Sequence, residues 1–99
     1  MKFRYKRYNE RGEKMLAISD ASLVGKSFEE GELSLDVSKE FYSGNECDEP
    51  EALSMLKGSS IVNAVGREII GLMLKEKIIS KDNILTIKGV PHVQIVEIR

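Results

Sequence analysis

Polar and apolar residues alternate with a period of two through Lys2-Phe3-Arg4-Tyr5-Lys6, and again through Glu32-Leu33-Ser34-Leu35-Asp36-Val37. Successive side chains of a strand point to opposite sides of a sheet, so this spacing predicts strands half-buried against a core. Phe3 and Tyr5 turn inward in the first, with the cations outward. Leu33, Leu35 and Val37 turn inward in the second. Asn9-Glu10-Arg11-Gly12 is turn chemistry, with Gly12 able to take positive φ. Residues 13–19 then read as the return strand of a hairpin that buries Leu16 and Ile18. Residues 83–88 and 92–99 form two final strands joined around Gly89 and Pro91.

A different period runs through the second half. Asp48-Glu49-Pro50-Glu51 reads as a helix start. Asp48 can accept from early amides, proline is tolerated in the first turn, and Glu51 stands at capping-box spacing. This helix runs to about Lys57 and ends at Gly58. Ser59 or Ser60 then caps a second helix that continues to about Lys77. Its apolar residues Ile61, Val65, Ile69, Leu72, Met73 and Leu74 have helical spacing. Gly66 lies inside it, at a cost of about 1 kcal/mol relative to alanine, which marks close packing. A short strand over residues 62–65 is the alternative. Earlier in the chain, residues 20–25 read as one capped turn stopped by Gly25. Residues 26–31 read as a polar loop that tucks in Phe28, and residues 41–44 as a short extended piece.

Together these elements predict an α+β fold. It is a two-layer α/β sandwich, with a mixed sheet of about five strands and two helices packed on one face. A chain of 99 residues makes one domain, 1–99. At that length roughly 65% of the unfolded surface is buried, enough for a single core without metals or disulfides.

Composition removes several classes of function. Hydrophobic residues make up 41% and charged residues 31%, too apolar a balance for disorder. The apolar runs are too short to span a membrane. The first residues are charged and lack the apolar stretch of a signal peptide. Cys47 is alone, which excludes an intramolecular disulfide and a cysteine-cluster zinc site and fits a reducing cytoplasm. Charge is uneven along the chain. Residues 1–14 carry six basic and two acidic groups, whereas residues 15–57 carry three basic and ten acidic. A basic edge beside an acidic belt is the expected surface.

Few segments carry chemistry. Gly25-Lys26-Ser27 matches the end of a phosphate-binding loop. The first glycine of that motif falls on Asp20, however, and a strand follows where a helix is needed. Glu29, Glu30, Glu32 and Asp36 lack the alternating ligand spacing of a calcium loop and read as a solvated face. Glu46-Cys47-Asp48-Glu49 surrounds the thiol with carboxylates, which raises its pKa and makes it a poor nucleophile. No second histidine, and so no metal set or cofactor, is indicated. The residues argue against an enzyme more than for one.

Two candidate surfaces remain. Lys2, Arg4, Lys6, Arg7 and Tyr8 form a candidate nucleic-acid face, in which only Tyr8 is free to stack on a base. His92 stands at the mouth of the last strand in Gly89-Val90-Pro91-His92-Val93-Gln94. Pro91 presets the entry to that strand and Gln94 shares the face of His92. The ordinary role of such a histidine is to hold the turn. The functional role is a polar pair on a shallow pocket or partner surface.

Residues 23–31, Leu33-x-Leu35-x-Val37, Phe41-Tyr42, Asn63-Ala64-Val65-Gly66 and residues 89–96 together resemble the archaeal family catalogued as domain of unknown function 424. The resemblance covers nearly the whole chain. It implies an α/β two-layer sandwich in an archaeal cytoplasm, with a setting in translation or RNA metabolism, and it brings no catalytic residues. The family's characteristic positions fall on Gly25, Phe28, Gly31, Asn63, Gly66, Pro91, His92 and Gln94. Those among them that form the candidate binding site are Asn63, Gly66, Pro91, His92, Gln94, Gly25 and Phe28, which are expected to lie near one another. The expected function is a small non-enzymatic binding or adaptor domain with a protein or RNA partner. The alternative is a small-ligand or weakly catalytic pocket with His92 as its acid–base group. Pairing of two copies through an uncovered edge of the terminal strand is a third expectation.

Overall fold

The computed structural model describes residues 2–42 and 44–96. A hairpin opens the chain: β1, Phe3–Glu10, pairs antiparallel with β2, Glu13–Asp20. Its two-residue turn is Arg11-Gly12, both with positive φ. That is the type I′ geometry whose twist matches the strands it joins. A 3-10 turn, Ala21–Leu23, leads to a second hairpin of β3, Ser27–Glu30, and β4, Leu33–Asp36. Next come α1, Lys39–Tyr42, β5, Asn45–Cys47, and α2, Glu49–Lys57. The chain continues with β6, Ile61–Val65, α3, Arg67–Lys75, β7, Leu85–Ile87, and β8, Val90–Val96.

Among the described residues six strands form one sheet in the order β5-β1-β2-β6-β8-β7, while β3 and β4 stand apart as a two-stranded sheet. Among the same described residues only β2 and β6 run parallel, and every other pairing is antiparallel. The fold is therefore mixed α+β, as the alternating and helical periods predict. It is richer in strands than the five expected.

Both faces of the large sheet carry apolar clusters. On one, Phe3, Leu16, Ile18, Val62, Ala64 and Val93 pack against Ala52, Met55 and Leu56 of α2 and Ile69, Ile70, Leu72 and Met73 of α3. On the other, Ala17, Val65 and Ile87 pack beneath Leu35, Val37 and Tyr42, with Phe28 and Phe41 at the margin. This double cover explains why residues 16–20 of β2 are buried without alternation.

Several local expectations change. The predicted helix over residues 59–77 is a strand followed by a helix, with Gly66 between them at φ 123°. No helix can pass through that conformation. Ser59 and Ser60 therefore cap nothing: the Ser59 hydroxyl donates to the Met55 carbonyl, and the Ser60 N–H donates to the Lys14 carbonyl. Residues 27–30 pair as β3 instead of looping, and Phe28 is half-buried. Residues 39–42 form a helical turn where an extended piece was expected, and Ser43 lies outside the described residues. Leu33 sits at the tip of its hairpin, 46% exposed, beyond the core cluster that buries Leu35. α2 spans its predicted length, yet Asp48 makes no side-chain cap. The last strand begins at Val90, and residues 97–99 of its predicted extent lie outside the described residues.

Candidate functional site

The candidate residues converge on the seam between β6 and β8, through a junction that starts in β2. Asp20 ends β2 and is buried. Its two carboxylate oxygens accept from the N–H groups of Glu68 and Ile69, each at 2.9 Å. These are among the orphan donors of the first turn of α3, so a residue 48 positions away caps this helix. The early 3-10 turn predicted to use Asp20 receives no side-chain cap. Burial pushes the Asp20 pKa up, and the two backbone donors oppose that shift.

Gly66 makes the junction geometrically possible. A Cβ on it would lie 2.3 Å from Cγ of Asp20. Its N–H donates to the Pro91 carbonyl at 2.9 Å. Gly66 and Pro91 are thus tied together as structural neighbours. Arg67 adds a contact from its Nη2 to the Gly89 carbonyl at 3.3 Å, holding the β7–β8 turn.

The same bond orients β8. Antiparallel ladders alternate between pairs that exchange hydrogen bonds and pairs that do not. Because Gly66 bonds Pro91, residues 91, 93 and 95 of β8 point their backbone groups toward β6. Residues 92, 94 and 96 point theirs away. β7 meets β8 only at residues 90–92. The outward N–H and C=O of Gln94 and Val96 therefore lie beyond the end of β7. None of the backbone hydrogen bonds from turns and loops reaches them among the described residues.

Side chains follow the register too. Asn63 stands directly opposite Gln94, and Val65 opposite His92. On β2, Met15 and Ala17 stand opposite Ile61 and Asn63. All share the face away from α2 and α3. The upper half of that face is covered by β3, β4 and α1. The lower half holds Met15, Ile61 and Asn63, all half-buried, with exposed Gln94 and Val96 beside them. Val96 is 57% exposed. The Asn63 amide has only a long contact, 3.8 Å, to Sδ of Met15.

His92 is half-buried, and burial lowers its pKa from the usual 6.5. Its cross-strand neighbours are Val65 and Leu85, and its nearest same-face neighbours along β8 are Val90 and Gln94. None is an acid, base or nucleophile, so the register supplies no proton relay. Cys47 is buried, and its thiol is pushed up to about 11 by burial first and then by Glu51 and Asp48.

Gly25 does not join this group. It lies at φ 92° against the Lys39 side chain, and its N–H donates to the Val37 carbonyl. Phe28 approaches through the second core cluster, which it shares with Val65 and Val90. Gly31 occupies the β3–β4 turn at φ 63°. Met15, Ile61 and Val96 escaped the sequence reading. Their signal is the strand register, which becomes visible only once residues 61–65 are read as a strand.

The basic strand does not present a continuous face. Lys2 bonds Glu49 at 2.9 Å and lies 3.8 Å from Glu68, and Arg4 bonds Glu46 at 3.2 Å. Lys6 donates to the Glu40 carbonyl and sits over the Tyr8 ring. Tyr8, expected to be free for stacking, is stacked on Phe41 at 5.4 Å and donates its hydroxyl to the Phe41 carbonyl. An aromatic ring already packed offers no platform to a base. Only Arg7 turns elsewhere.

A family model described as "Protein of unknown function (DUF424)" matches residues 8–98. The crystal structure of an uncharacterized conserved protein from Methanopyrus kandleri is similar, with 25% sequence identity and a TM-score of 0.75. That match covers 98% of this chain and 94% of the other. No curated protein matches the sequence. No described helix is long and apolar enough to cross a membrane.

Proposed function

We propose, from the premise that this chain belongs to the DUF424 family of proteins of unknown function, that it is a non-enzymatic binding domain. Its partner is a protein that adds an extended segment beside β8. The observation that carries this reading is the unpaired stretch of β8 beyond β7, with its outward backbone groups at Gln94 and Val96. An extended peptide can complete such a ladder, while side-chain contacts on the adjoining face select it. Here that face is apolar and amide-rich: Met15, Ile61, Asn63, Gln94 and Val96. The strand itself, Val90 to Val96, carries no Lys, Arg, Asp or Glu. Charges are the usual protection of a free edge, and their absence favours pairing.

An RNA partner is less well supported, because Lys2 and Arg4 are paired with carboxylates, Lys6 is held by the Glu40 carbonyl and Tyr8 is packed. A catalytic role for His92 lacks a neighbouring group to accept or pass a proton. A setting in translation would fit an adaptor and rests on the family resemblance alone.

Gln94→Pro tests the proposal. It removes an outward donor and places a ring on the open side, while the β6 ladder uses residues 93 and 95. Affinity capture from lysate should retain a protein on the wild type and on Lys6→Glu, and lose it on Gln94→Pro at unchanged melting temperature. Equal capture by Gln94→Pro would refute the reading. If the species lost were a second copy of this chain, sedimentation would show a wild-type dimer and a Gln94→Pro monomer, and the adaptor reading would fall.

A further inference from the structure

Arg7 and Lys14 stand on the helix-facing side of the first hairpin, where β1 and β2 extend past the core. The register pairs Asn9 with Lys14 and Arg7 with Leu16. Arg7 and Lys14 are therefore diagonal neighbours on one face. They line a cleft of about 330 Å³ between the hairpin and the end of α2. Two like charges side by side destabilise a sheet unless something neutralises them.

Among the described residues nothing in the cleft does so. Their lining includes Asn9, Ser54 and Met55 and contains no carboxylate. Among the described residues neither cation has an ion pair. Glu13 lies on the other face, where it lines a cleft with Met15 and Ile61. Lys2, just before β1, and Arg4, within it, contrast with this pair, since both have carboxylate partners.

The end of α2 does not cancel this positive field with open carbonyls. The Ser54 and Met55 carbonyls both accept from the Gly58 N–H, and Met55 also accepts from the Ser59 hydroxyl. The exposed Ser54 hydroxyl and the Asn9 amide remain as neutral donors at the rim. Met55 of α2 supplies an apolar wall, with Tyr8 and Met15 only at its margin because their side chains turn to the other face. The volume falls at the lower end of small-ligand sites.

We propose that this cleft binds a small phosphomonoester of nucleoside monophosphate size. The Arg7 guanidinium presents a fork matched to phosphate oxygens, and the Lys14 ammonium adds a point charge. Met55 takes the apolar face of the attached group, since a thioether side chain adapts to flat surfaces. The site is separate from the β8 edge, so either reading can fail alone.

The test is NMR titration of the full chain with adenosine monophosphate, adenosine and inorganic phosphate at fixed ionic strength. Adenosine monophosphate should shift the amides of residues 7, 14 and 54–59 in a saturable way and raise the melting temperature. Inorganic phosphate should bind the same residues more weakly, and adenosine should leave them unmoved. Arg7→Gln should weaken adenosine monophosphate binding tenfold or more while melting at or above the wild-type temperature, because it relieves the like-charge pair. Three results would overturn the proposal: no saturable shift at millimolar ligand, equal shifts with adenosine, or undiminished binding by Arg7→Gln.

Discussion

The two ends of β6 are finished in different ways. At its C-terminal end, Val65 and Gly66 are buried. Asp20 holds the first turn of α3, and Gly66 holds Pro91. At its N-terminal end, Ile61 and Asn63 are half-buried and face a half-sheet that neither helices nor hairpin cover. The first end is built for the fold. The second is left as surface, although the same strand supplies both. Residues that look equally distinctive in the sequence thus divide into two roles. Gly66 and Pro91 close a junction, whereas Asn63 and Gln94 present amides.

The sharpest way to break this comparison is Gly66→Ala. The new methyl would meet the Asp20 carboxylate at 2.3 Å, at a backbone φ of 123° that alanine adopts only under strain. A loss of about 3 kcal/mol or more is expected, read as a shift of the urea midpoint. A loss below about 1 kcal/mol would show that the junction is looser than its geometry.

Asp20→Ala comes next. It strands the N–H groups of Glu68 and Ile69, at a cost of about 1–3 kcal/mol. Asp20→Asn keeps one acceptor and should cost less, so the order of the two variants checks the capping role independently of burial.

On the open side, Val96→Lys should change stability by no more than about 0.5 kcal/mol, because the side chain is already mostly exposed. It should nevertheless abolish partner capture. A large stability loss would mean that this half of the sheet is covered in solution.

The smallest effect belongs to His92. Burial lowers its pKa below 6.5, so the folded state disfavours the imidazolium. The unfolded chain then binds the proton more readily. Stability is full above pH 6.5 and falls as pH drops through that value toward the lowered folded one. In His92→Gln this part of the melting-temperature profile should flatten. An unchanged profile would place the imidazole in water.

Much of the architecture was legible in short-range pattern. The Arg11-Gly12 turn and the alternation of the strand before it define the first hairpin. Pro50 and Gly58 bracket α2. Cys47 among carboxylates is an unreactive thiol, although burial contributes more than the neighbouring charges. The failure at residues 59–77 has a specific cause. Ile61, Val65, Ile69 and Leu72 stand at helical spacing by coincidence of a strand joined to a helix, and β-branched Ile61, Val62 and Val65 were the contrary signal.

The candidate site was legible only in part. His92 and Gln94 on one face follow from alternation, and Arg7 beside Lys14 follows from the two-residue turn. The pairing of Asn63 with Gln94 needed β6 to exist and to lie beside β8. The fate of the basic strand was illegible, since its partners Glu46, Glu49 and Glu68 arrive from elements 42 to 66 residues away.

The sequence by itself determined which segments are strands or helices where one period dominates, and which turns demand glycine. Those are properties of a residue and its near neighbours. Tertiary structure alone decided which charges are neutralised, which half of the sheet stays open and which glycine meets a carboxylate. Each depends on distances between residues far apart in the chain, and those distances exist only once the strands have been ordered.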